Sequence, residues 1–193
     1  MDWTRRGLGG ALVAMAGGAV RAQGTASPRV RVTTELGAFT VEVYPDRAPL
    51  TANDFLLYVD RGLLNGSSVY RIVSMANQPD TVPAKIEVIQ FGLKDAPLPP
   101  VPHEPTTKTG LHHKDGTLSL ARLAPGTGSS AFFICIGDQP ELDFGGKRNP
   151  DGQGFAAFGQ VVDGMDVVRR IFGRAEAKDL MEHPVPVSRA ERL

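Results

Sequence analysis

Eight short strand-like runs, cut apart by glycine- and proline-rich turns, leave few folds open to this chain. Val30–Val43 (VRVTTELGAFTVEV) reads as two alternating strands meeting at Gly37, because period-2 alternation marks a strand with one buried face. Ser68–Val73, Lys85–Leu93, Gly116–Ala121, Ala131–Ile136, Phe155–Val162 and Pro184–Leu193 complete the set. Helical spacing occurs twice: Phe55, Leu56, Tyr58 and Val59, with Thr51 as a possible cap, and Met165–Ile171. The 22 glycines and 15 prolines fall largely between these runs, and 41% hydrophobic residues suffice for a core. Residues 74–84, 94–115 and 137–154 read as loops, the second a long surface excursion. The expected fold is therefore mainly β: a closed, antiparallel, eight-stranded barrel with two flanking helices, since closure removes the exposed edges. No internal repeat or second domain is visible, as suits a chain of 193 residues.

The first 22 residues carry a different signal. Arg5 and Arg6 precede an uncharged run, Gly7–Val20, and Val20-Arg21-Ala22 has short residues where a signal peptidase reads. This order is that of a secretory signal peptide cleaved after Ala22, which implies a periplasmic product. The run holds 14 residues, against the roughly 20 that a membrane-spanning helix needs. No stable membrane insertion is expected, with an uncleaved anchor the alternative. Thr4-Arg5-Arg6-Gly7-Leu8 also resembles a twin-arginine export signal, and both export routes remain open. The folded domain is expected over residues 28–193.

Charge and cysteine content exclude several functions. The 21 basic residues balance the 21 acidic ones, and removing the leader takes three arginines against one aspartate. Such a balance argues against nucleic-acid binding, which calls for a basic excess or stripe. One cysteine, Cys135, permits no intramolecular disulfide and no multi-cysteine zinc site, and the four histidines lack metal-ligand spacing. Neither a metal nor another cofactor is expected. Ser129 and Ser130 have no histidine partner that can be placed from sequence. Asp143 and Asp151 lie in a glycine-rich loop without EF-hand spacing.

Among the strands, three positions invite chemistry. Arg71 sits between Val69, Tyr70, Ile72 and Val73. It is either an ordinary outward arginine on an alternating strand or a fixed cation beside an apolar pocket. Phe132 and Phe133 are adjacent, so alternation sends one inward and the other to the opposite face. Both pack in a core, or the outer one meets a ligand. Gln90, between Ile89 and Phe91, is an amide in an apolar strand that serves a backbone group or a ligand.

Taken in order, the motifs resemble those of the cyclophilin-type peptidyl-prolyl isomerases over nearly the whole of Val30–Leu193. Asp46-Arg47-Ala48-Pro49-Leu50-Thr51 through Phe55 resembles the family's first helix start, and Val69-Tyr70-Arg71-Ile72-Val73 its FHRII or FHRVI strand. Val88-Ile89-Gln90 resembles the MIQ segment, Leu118–Arg122 the LSMA or MAR segment, and Ser129–Ile134 the SQFFI segment. Leu142-Asp143 matches the LD pair, Phe155–Val161 the VFGKV strand, and Gly164-Met165 opens the last helix. The resemblance implies Arg71 as the catalytic arginine, with Val88, Gln90, Arg122, Phe133, Leu142 and Phe155 binding substrate. It implies a monomer that acts without a cofactor on proline-containing polypeptides. The runner-up is a catalytically weak peptide-binding or chaperone module on the same barrel, suggested by departures from the pattern. Tyr70 stands where the family has histidine, Ala131 where it has glutamine, and Glu87 where it often has phenylalanine. Glu141 stands where some members carry tryptophan, Phe91 replaces a glycine, and residues 74–84 are an insertion.

Overall fold

The computed structural model describes residues 26–193; the expected leader and its cleavage point lie outside them. Eight strands form the closed barrel β1-β2-β7-β5-β6-β4-β3-β8, every neighbouring pair antiparallel. They are β1 (Arg29–Thr34), β2 (Gly37–Val43), β3 (Ser68–Val73), β4 (Val88–Gly92), β5 (Thr117–Leu120), β6 (Ala131–Cys135), β7 (Ala156–Asp163) and β8 (Leu180–Arg192). Alternation fills the barrel from every strand. Val30, Val32, Phe39, Val41, Val69, Ile72, Ile89, Phe91, Phe132, Ile134 and Phe158 belong to one buried cluster. Phe132 is its hub, edge-on to Phe55 at 5.0 Å and to Tyr58 at 5.8 Å between ring centroids.

Among the described residues three α-helices accompany the barrel instead of two: α1 (Pro49–Asp60), α2 (Thr106–Thr109) and α3 (Met165–Phe172). The added one, a single turn, lies within the excursion between β4 and β5, which is largely at the surface but turns several side chains inward. Glu104, Thr106, Thr109 and His113 are all buried in it. Its packing also corrects the helix cap. Ala48, without a capping side chain, precedes α1. Thr51 lies in the first turn, where its amide and its hydroxyl each donate to Glu104 Oε2 at 2.8 Å. A carboxylate from 53 residues away thus satisfies donors that a helix start leaves open and complements its positive end.

A second, smaller apolar cluster lies outside the barrel wall. Val73, Ile86, Val88, Phe133, Cys135 and Leu142 form it, with Ala121 and Phe155 packed against it. The two clusters divide adjacent residues of one strand: Phe132 faces in and Phe133 faces out. Cys135 is a buried thiol whose ionisation burial pushes well upward, consistent with inert packing.

Candidate active site

A groove of about 870 Å³ runs along the outer face of β3, β4 and β6. Its floor follows from strand parity. In β4 the inward Ile89 and Phe91 alternate with the outward Val88 and Gln90, and continuing the parity one step back brings Ile86 to the same wall. Phe133, Leu142 and Phe155 complete the apolar part, with Phe133 and Phe155 edge to face at 5.4 Å. Ile86 was missed by sequence reasoning, although its parity with Val88 was the signal that could have found it. Glu87, which stands where the family often has phenylalanine, does not line the groove.

In β3 simple alternation fails. The register steps from Val69 opposite Phe91 to Arg71 opposite Gln90, so Tyr70 is an extra residue in a β-bulge. Tyr70 and Arg71 consequently both line the groove, while Val69 and Ile72 both point into the barrel. Arg71 Nη1 donates to Gln90 Oε1 at 3.1 Å, and Gln90 Nε2 donates to the Tyr70 hydroxyl at 2.6 Å. Burial raises the Tyr70 phenol above its ordinary range, although the hydrogen bond from Gln90 and the Arg71 charge oppose this. Asp179, just before β8, takes Arg71 Nε at 2.9 Å and Nη2 at 2.7 Å on a single oxygen, Oδ2. Its other oxygen accepts the Leu180 amide. A guanidinium has five N–H donors, and two of Arg71's, on Nε and Nη1, are hydrogen-bonded. The others have no hydrogen-bond partner among the described residues, Nη2 being held only in the ion pair with Asp179, on a side chain that is 30% exposed.

Arg122 is placed differently. Its side chain is 2% exposed, and every N–H is engaged. Nε and Nη2 donate to Gly154 O, Nη1 and Nη2 to the two Asp151 oxygens at 2.7 and 2.9 Å, and Nη1 also to Leu123 O. The guanidinium lies 5.3 Å from the centre of the Phe155 ring. It therefore builds the wall that holds Phe155 and has no donor left for a substrate. Asp151, outside the groove lining, is held down at about 2 mainly by the hydrogen bonds from Arg122.

The matching family model is that of the cyclophilin type peptidyl-prolyl cis-trans isomerase/CLD, over residues 29–192. The chain belongs to this family. Among curated relatives, this cyclophilin is 33% identical over 157 residues to peptidyl-prolyl cis-trans isomerase B of Escherichia coli, covering 79% of this chain and 89% of that one. It is 31% identical over 166 residues to a peptidyl-prolyl cis-trans isomerase of Acinetobacter baylyi, covering 82% and 79%. A solved cyclophilin-type isomerase of Cryptosporidium parvum superposes with TM-score 0.69 at 17% identity, over 86% of this chain and 98% of that one. The same protein determined in the presence of the dipeptide Ala-Pro gives 0.68 at 18% identity, over 84% and 97%. At that identity the likeness speaks for the fold.

The cyclophilin barrel also hides a serine, a histidine and an aspartate in line. His113 Nδ1 lies 2.6 Å from Asp143 Oδ1, and Nε2 lies 2.9 Å from Ser119 Oγ. Sequence reasoning examined Ser129 and Ser130 and overlooked this set, because His113 comes from the excursion and Asp143 from the loop after β6. Ser119 and the His113 side chain are wholly enclosed, so no substrate carbonyl can reach the hydroxyl. The His113 ring stacks on Phe133 at 5.9 Å with 12° between planes, which makes this chain the backing of the apolar wall. Burial lowers the His113 pKa despite the Asp143 carboxylate. For Asp143 burial acts upward, but hydrogen bonds from His113 and His112 outweigh it and hold the carboxyl at about 2.

Proposed function

We propose that this protein accelerates cis-trans isomerisation of X–Pro bonds in folding polypeptides, with Arg71 as the catalytic residue. The observation that carries the reading is the set of unengaged Arg71 N–H donors beside the apolar wall of Val88, Phe133, Leu142 and Phe155. Rotation about an X–Pro bond is opposed by amide resonance, with a barrier of roughly 18–20 kcal/mol. No bond breaks, so no nucleophile is needed, which suits a groove whose nearest serine–histidine pair is sealed away. An enzyme gains rate by binding the twisted amide better than either planar form. On twisting, the prolyl nitrogen becomes pyramidal and recovers a lone pair that a preorganised cationic donor can meet. Val88, Phe133, Leu142 and Phe155 hold the ring while the preceding carbonyl turns. Asp179 and Gln90 hold the guanidinium by two different nitrogen edges, so little reorganisation accompanies the reaction. Arg122 serves by supporting Phe155.

The product is read as periplasmic, on the strength of the leader sequence. Material recovered from the periplasm should begin at Gln23; an N-terminus at Met1 would overturn export with cleavage. The isomerase reading is tested by following a short X–Pro peptide by exchange NMR with and without protein. Acceleration well above the spontaneous rate is expected. Binding of the peptide without any acceleration would replace the enzyme by a peptide-binding module.

A further inference from the structure

Beside the proline pocket the groove carries a third guanidinium, which the isomerisation step does not use. Arg148, from the loop between Leu142 and β7, lines the groove next to Asn149. Its Nη1 donates to Gln78 Oε1 and to Ala84 O, each at 2.9 Å, and both acceptors are neutral. No carboxylate pairs with Arg148, and Nε and Nη2 have no partner among the described residues. Burial and the nearby Arg71 charge lower its affinity for a proton, while Asp179 acts the other way. The amide nitrogen of Asn149 is itself buried without an acceptor, and an unpaired buried donor is costly to leave so. The insertion at 74–84 fixes this arrangement. Gln78 donates to Ser74 O and Ile86 O and accepts from the Ile86 amide and Arg148, while Asn77 ties Ile72 O to Glu176 O. Among the residues lining the groove, Arg71, Lys94, Arg122 and Arg148 are cationic and none is a carboxylate.

We propose that Arg148, beside Asn149, forms an anion subsite at the edge of the proline groove, which selects polypeptides carrying a carboxylate beside the proline. The chemistry is a charge-assisted hydrogen bond from the guanidinium edge to an Asp or Glu side chain. The proposal deepens the isomerase reading and rests on it for the identity of the groove's occupant. It also gives the insertion a function, which is to hold Arg148 by two neutral acceptors and leave its charge for the substrate.

The probes are blocked pentapeptides with one central proline and Glu, Gln or Lys on either side of it. Rates are read by exchange NMR and affinities by calorimetric titration at low salt. In the wild type, kcat/KM for the preferred Glu peptide should exceed that for its Lys counterpart about tenfold, a difference of about 1.4 kcal/mol. The ratio should fall below about twofold in Arg148→Gln, invert in Arg148→Glu and drop in Asn149→Asp, in line with the loss or reversal of one charge pair. Arg148→Lys separates charge from loop packing and should keep most of the preference. Equal rates for Glu and Lys peptides in the wild type would overturn the proposal. So would a preference that survives Arg148→Gln, or one that disappears equally in Arg148→Lys. If no peptide is accelerated the isomerase reading fails by itself. The Glu-over-Lys ratio of affinities and its response to Arg148→Gln then decide the subsite.

Discussion

Arg71 and Arg122 line the same groove and carry the same guanidinium, yet their surroundings give them opposite work. Arg122 is enclosed and spends every donor on Asp151, Gly154 and Leu123. Arg71 is held by Asp179 and Gln90 with N–H donors to spare. The difference teaches that a cation in a binding groove is characterised by what its donors still lack. Charge and proximity to the pocket are shared by both. Arg148 extends the comparison, being held by neutral acceptors alone.

The largest effect should come from Arg71→Ala. Loss of one preorganised donor to a developing lone pair costs about 10²- to 10³-fold in kcat/KM. The thermal midpoint should barely move, because the Arg71–Asp179 pair is partly exposed and such pairs contribute little. Full activity in this variant would break the comparison at its centre. Arg122→Ala should show the converse. It removes a guanidinium packed on Phe155 and frees the Gly154 carbonyl, so stability should fall by about 2 kcal/mol in denaturant titration. The accompanying loss of activity should be below about tenfold and fall chiefly on KM, as expected when binding walls loosen. A kcat collapse equal to that of Arg71→Ala would show that the engaged donors take part in the reaction.

The comparison sharpens when it is carried to buried acceptors and to histidine. Asp54 Oδ2 is buried without a donor, and burial raises its carboxyl to about 6. A folded-state value above the unfolded 3.8 favours the fold at low pH, and that contribution is lost as pH rises through about 6. Asp54→Asn should therefore stabilise the protein at pH 7 by on the order of 2 kcal/mol. The advantage should shrink as pH falls towards 4, in urea titrations at each pH.

His113 has the opposite slope. Its folded pKa is depressed below 6.5 by burial, so the unfolded chain takes up a proton first as pH falls. That loss of stability should set in as pH falls below about 6.5. His113→Gln should be less stable overall yet flatter over that window. A variant as steep as the wild type would remove His113 as the source. The effect is the smallest of the set, because Asp143 partly supports the imidazolium.

The sequence reached some of these features more easily than others. Strand parity is local, so Phe132 and Phe133 could be assigned to opposite faces without knowing what either face meets. Val88 and Gln90 follow by the same rule, and so does Ile86, which lies in the same Lys85–Leu93 run and shares their parity. Tyr70 and Arg71 could not be read that way, because the bulge inserts a residue without a local mark. The Thr51 cap was misread because its acceptor, Glu104, comes from a segment that looked like surface loop. The His113–Asp143 line was illegible for the same reason.

Alternation, turn chemistry and ordered motifs by themselves determined the barrel, the order of its strands along the chain and most residues that could face a groove, although β8 begins at Leu180, four residues before the expected Pro184. These rest on interactions between near neighbours, which sequence records directly. Only the tertiary structure decided which arginine keeps free donors. Its acceptors arrive from far along the chain: Asp179 reaches Arg71 across 108 residues and Gln78 reaches Arg148 across 70. Burial and hydrogen-bond satisfaction are sums over whatever segments fold onto a site, and no local pattern contains that sum.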